Sequence, residues 1–120
     1  MKDIILLIDD DEMNLKSMAS NLSLEFEVKA FSDPIKALEY LSHSSGINYV
    51  VSDYKMPDFD GIEILKFIKS NFKIKTVLYT GYATEQLKKK IQFSGIDLFF
   101  EKPIDIEQFI LTIKNLEVKC

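Results

Sequence analysis

Arginine is absent from this chain of 120 residues, and all 15 of its basic side chains are lysines. The chain therefore lacks the planar guanidinium fork that pairs bidentately with guanine edges and phosphate, which argues against direct DNA readout. Its formal net charge of -4 likewise gives no electrostatic reason to expect nucleic acid as a partner. Cysteine is nearly absent too. The single one, Cys120, is the last residue, which excludes an internal disulfide and agrees with a reducing compartment, so a cytoplasmic location is expected. Long apolar runs are missing from the amino terminus: residues 4–8 are apolar, but three acids follow at once. That run is too short and wrongly flanked for a signal peptide or a membrane span, so no membrane attachment is expected. Histidine is limited to His43, which falls at a predicted helix end in a Ser-rich turn. That is the setting of a solvated loop residue and argues against a phosphohistidine-carrier role.

What is present is the mixture of a globular protein, 47% hydrophobic and 28% charged. The length fits one domain with a sizeable core, spanning residues 1–120. Residues 4–8 form a β-branched-rich run without polar alternation, the pattern of a strand covered on both faces. A helix is predicted over 12–24, with acids at its start where the helix dipole favours them. A second strand over 26–31 leads to Ser32-Asp33-Pro34, a cap followed by Pro at the first helical position, and to a helix over 34–43. Tyr49 to Val51 read as a buried strand delivering Asp53 to a turn rich in Pro, Asp and Gly. Further helices are predicted from Asp60-Gly61 to Asn71, over 84–93 and from about Ile106 to Leu116, with strands over 76–80 and 96–100. The helix over 84–93 has only Leu87, Ile91 and Phe93 as clear anchors and is expected to be the most loosely held.

Five strand–helix alternations imply a parallel α/β sheet with right-handed crossovers and helices on both faces. In such a sheet the strand ends converge on one edge, bringing together Asp9, Asp10, Asp53, Thr80 and Lys102. Clustered carboxylates raise one another's proton affinity unless a cation is present, and a hard divalent ion such as Mg2+ relieves the repulsion. A nucleophilic carboxylate, a metal site, a hydroxyl and an ammonium form a set suited to phosphoryl transfer onto Asp53. Each piece alone has an ordinary explanation. Asp9 to Asp11 can be a solvated helix start, Thr80-Gly81 a turn, and Lys102-Pro103 a strand exit.

Taken together, these motifs resemble the receiver domain of two-component response regulators over essentially the whole chain. The shared features are Asp9-Asp10 after the first strand, Asp53 with Met56-Pro57 and Asp60-Gly61 downstream, Thr80-Gly81, and Lys102-Pro103. The resemblance implies a flavodoxin-like doubly wound sheet in strand order 2-1-3-4-5. It implies that Asp53 accepts phosphate from a phosphohistidine of a sensor histidine kinase or phosphotransfer protein. Mg2+ would be held by Asp10, Asp53 and the Lys55 backbone carbonyl, with Asp9 acting directly or through water. Thr80 and Lys102 would grip the phosphoryl oxygens, and the Lys102–Pro103 peptide bond is expected to be cis. Phe99 occupies the family's switch-aromatic position without a tyrosine's hydroxyl, and a plain core Phe is an equal reading of it. The implied output face is built from the fourth helix, fifth strand and fifth helix, and would act on a downstream protein target or an attached effector domain. Lys88 to Lys90 on the fourth helix read first as a solvated face, with part of a partner surface as the alternative. Beyond its own phosphorylation and dephosphorylation no enzymatic activity is expected.

Lys55 and Tyr82 are expected to lengthen the life of the phosphoryl group. Three rivals remain at this level. Asp-nucleophile phosphatases of the haloacid dehalogenase type place a second Asp where Lys55 stands. A flavin carrier would meet three acids after the first strand. A phosphorylation-independent interaction module would have no use for the filled site.

Overall fold

The computed structural model describes residues 2–81 and 83–118; Tyr82 and Cys120 lie outside them. Strands β1 (Ile4–Ile8), β2 (Glu27–Phe31), β3 (Ile47–Asp53), β4 (Lys75–Thr80) and β5 (Leu98–Glu101) alternate with helices α1 (Glu12–Leu22), α2 (Pro34–Ser42), α3 (Gly61–Asn71), α4 (Glu85–Gln92) and α5 (Ile106–Val118). All the strand pairings are parallel, in the order β2-β1-β3-β4-β5. This is the doubly wound α/β sheet anticipated from the alternation of apolar runs.

Because successive strand residues face opposite sides, the sheet separates two cores. Leu6, Ile8, Val50 and Leu78 pack with α2, α3 and α4, while Ile5, Leu7, Tyr49, Val51, Val77 and Tyr79 pack with α1 and α5. Both faces of β1, β3 and β4 are thus dry, which is why their sequences show no polar alternation. Side-chain oxygens cap all five helices. Asp11 accepts from the amides of Met13 and Asn14, Asp33 precedes Pro34, Asp60 shares a capping box with Glu63, and Thr84 accepts from Leu87. Asp105 accepts from the Gln108 amide in the first turn of α5.

Several boundaries differ from the sequence expectation. β3 is longer than residues 49–51 and ends on Asp53 itself, because Asp53 pairs with Tyr79 of β4 and Ile47 with Ile4 of β1. The register slips beside Ile4, and there the Asn48 side chain accepts from the Ile4 amide at 2.8 Å. β5 starts at Leu98, after Asp97 has turned its amide onto the Thr76 carbonyl. Phe93, expected to anchor the fourth helix, is 83% exposed at its carboxyl cap. Leu87 and Ile91 are then the buried residues of α4.

At the amino edge of the sheet, Asp97 ties three elements together. Its Oδ2 accepts from Lys69 Nζ on α3 at 2.6 Å and from the Thr76 amide and hydroxyl at 2.7 and 3.1 Å. Burial pushes this carboxyl up, but the bonds from Lys69 and Thr76 together outweigh it and hold it below the usual carboxylate range. A depressed folded pKa contributes stability above the unfolded value, near 4, that is lost as pH falls through the folded one. Asp97→Asn is therefore expected to cost about 1–2 kcal/mol at pH 7, and the difference from wild type should shrink below about pH 4. Urea unfolding at pH 7 and pH 3.5 measures both.

Candidate functional site

The carboxyl edge of the sheet is assembled by register. Ile8 pairs with Ser52, Asp53 with Tyr79, and Thr80 with Glu101, so the residues that end β1, β3, β4 and β5 lie side by side. Asp9 continues β1 by donating its amide to Phe31, and Lys102 continues β5 by donating to the Thr80 carbonyl. The Lys102–Pro103 peptide bond is cis.

Carboxylate oxygens of Asp9, Asp10 and Asp53 come within 4.8 Å of one another. Asp9 is fully buried, Asp53 is 8% exposed and Asp10 faces solvent. Burial pushes the Asp53 carboxyl up and the charge of Asp9 adds to this, while the Lys102 ammonium opposes both. Lys102 Nζ sits 3.4 Å from Asp53 Oδ2. The donor set suits a hard divalent cation: three oxygen-bearing anions, one open to water, with the Lys102 ammonium as a counter-charge. Thr80 is buried at the end of β4. Phe99 is half-buried against the core beneath α3 and α4, and the Lys55 side chain is exposed.

Two residues that the sequence reading passed over complete the arrangement. The Tyr79 hydroxyl donates to Asp9 Oδ2 at 2.6 Å, and its ring lies beneath the Lys102 ammonium, 5.0 Å from the centroid. Asn14 Nδ2 donates to the same oxygen, Asp9 Oδ2. Burial and the bond to Asp9 push the Tyr79 phenol far above its ordinary value, so it remains a donor at every physiological pH. A polar-tipped aromatic inside an otherwise apolar strand was the available clue, since a buried Tyr hydroxyl usually has a partner.

The turn after β3 is held close by Gly61. Its amide donates to the Tyr54 carbonyl at 2.7 Å, and a Cβ on it would lie 2.2 Å from the Asp53 carbonyl oxygen and 2.7 Å from Leu78 Cδ1. The first residue of α3 therefore touches the backbone of Asp53.

Residues 5–114 match the family described as the response regulator receiver domain. The chain belongs to that family. It is 23% identical over 115 residues to the polar-differentiation response regulator DivK of Brucella anthropi, covering 92% of this chain and 93% of DivK. It is 30% identical over 112 residues to the sensor histidine kinase RcsC of Salmonella typhi, covering 92% of this chain but 12% of the kinase. Among solved structures, a CheY-like receiver domain protein from Methanospirillum hungatei superposes with a TM-score of 0.86 at 27% identity, covering 96% of this chain and 93% of that one. The BeF3-activated DrrB receiver domain gives a TM-score of 0.81 at 25% identity, over 96% and 97% of the two chains. The protein is thus a receiver domain of two-component signalling. Among its described residues no helix is long and apolar enough to cross a membrane.

Proposed function

We propose that this receiver accepts a phosphoryl group on Asp53 from the phosphohistidine of a sensor histidine kinase or phosphotransfer protein. The observation that carries the proposal is the pairing of a buried carboxylate with opposed charges: Asp53 lies among Asp9 and Asp10, with Lys102 Nζ 3.4 Å away. An Asp53 oxygen attacks phosphorus and the bond from phosphorus to the histidine nitrogen breaks. The imidazole leaves with that electron pair, and the product is an aspartyl phosphate. Lys102 and Thr80 bind the phosphoryl oxygens.

Asp9, Asp10, Asp53 and the Lys55 carbonyl hold Mg2+ in this reading, Asp9 directly or through water. When bound, the ion neutralises charge developing on the phosphoryl oxygens. Thr80 and Phe99 form the switch, transmitting occupancy of the site to the face of α4, β5 and α5, where a downstream protein or an attached effector domain is engaged. The chain acts on itself rather than turning over a substrate, in the cytoplasm, within a domain spanning residues 1–120. Support comes from the family membership and from its likeness to a receiver captured with BeF3.

Intact mass after incubation with acetyl phosphate tests the reading. One added phosphate, about 80 mass units, is expected in wild type with Mg2+, and none in Asp53→Asn or in the presence of a chelator. An adduct that persists in Asp53→Asn or without metal would overturn it.

A further inference from the structure

Among the acids at the carboxyl edge, Asp9 differs in how many of its lone pairs are already engaged. A carboxylate offers about four acceptor positions, two on each oxygen. On Asp9, Oδ1 accepts from the Asp11 amide at 3.0 Å, and Oδ2 accepts both the Tyr79 hydroxyl and the Asn14 amide. Oδ2 is therefore saturated, and one position on Oδ1 is left. An acid in that state can contact a cation, or a water on a cation, through a single oxygen. It cannot chelate with both.

The donors differ in origin. Asp11 and Asn14 belong to the cap and first turn of α1, so they move with that helix. Tyr79 reaches Asp9 from β4, two strands away across the sheet. Its ring is fully buried in the core shared with α1 and α5, and its backbone is fixed by pairing to Asp53 on one side and Phe100 on the other. It is the donor with least freedom to release Oδ2.

Single-oxygen contact favours one class of cation. Mg2+ demands a near-octahedral shell and keeps several of its waters, so one oxygen from each acid suffices. Ca2+ takes six to eight oxygens and commonly recruits both oxygens of a carboxylate. We propose that Tyr79 is a positioning residue for the metal site: by holding Asp9 Oδ2 it limits Asp9 to one oxygen and biases the site toward Mg2+ against Ca2+. The proposal rests on the metal-dependent reading above.

The test is a pair of titrations on unphosphorylated, nitrogen-labelled protein, with MgCl2 and with CaCl2, following backbone amide shifts around Asp53 and Gly61. In wild type, the ratio of the Ca2+ to the Mg2+ dissociation constant is expected to exceed that of Tyr79→Phe by about fivefold or more. Asn14→Ala, which empties the other position on Oδ2, should move the ratio in the same direction. General loosening of the fold weakens both ions together and leaves the ratio alone, so the ratio separates positioning from mere structural support. If Tyr79→Phe gives no folded spectrum, Asn14→Ala decides by the same criterion. An unchanged ratio in a folded variant overturns this inference while leaving Mg2+ binding intact. Absence of site-specific shifts with either ion in wild type overturns the metal-dependent reading, and this inference with it.

Discussion

A Gly61→Ala protein is expected to be less stable than wild type by about 3 kcal/mol or more, the upper end of what overpacking costs. Helix propensity alone predicts the opposite, since Ala for Gly within a helix ordinarily gains up to about 1 kcal/mol. The sign is decided by contact. The added methyl would lie 2.2 Å from the carbonyl oxygen of Asp53 and 2.7 Å from Leu78 Cδ1. Leu78 is fully buried and can yield little, and the carbonyl belongs to the last residue of β3, whose neighbour Tyr54 already bonds Gly61. Relief therefore requires α3 to retreat from the sheet or the end of β3 to shift. Urea denaturation measures the loss, and a change below about 1 kcal/mol would mean that the turn re-forms at little cost. The same displacement moves Asp53, so slower phosphorylation should accompany the loss of stability.

Replacing Lys102 with Ala is expected to slow phosphorylation from acetyl phosphate by about a hundredfold, the usual cost of removing one preorganised charge from a reacting oxygen. Metal affinity should move the other way. The Lys102 ammonium, 3.4 Å from Asp53 Oδ2, already satisfies part of the negative charge that a divalent cation would meet. Without it, Asp53 loses that counter-charge, and Mg2+ should bind more tightly. Tighter metal with slower chemistry distinguishes a transition-state contact from a structural one. Single-turnover kinetics at saturating Mg2+, with a separate Mg2+ titration, would show both. Rates equal to wild type at saturation would remove Lys102 from the phosphoryl contact.

The layout of the fold was readable from the chain because its strands are dry on both sides. Apolar runs leading to Asp9, Asp53 and Thr80 identified both the elements and the edge at which they end. Helix caps were equally plain, since Asp33-Pro34 and Asp60-Gly61 are local signatures. Less was readable where the outcome depends on which face of a helix meets a neighbour. Met13, Phe67 and Phe93 fit helical apolar patterns, yet they are 84%, 52% and 83% exposed. Periodicity shows that a stripe exists but not where the sheet beneath it ends. The full extent of β3 also escaped, because its last pairing depends on β4 and its first on β1, both distant in sequence. Tyr79 escaped for the same reason: its partner Asp9 is 70 residues away.

The alternation along β4 places neighbouring residues in different mechanical company. Leu78 belongs to the core under α2, α3 and α4, Tyr79 to the core under α1 and α5, and Thr80 returns by strand geometry to the first side. One strand end is thus gripped from both sides of the sheet. A displacement of Tyr79 would reach Asp9 through the phenol, whereas a displacement of α3 would reach Asp53 through Gly61. Two partners docking on opposite faces of the sheet could bias the same carboxylate cluster by separate mechanical routes, without touching each other.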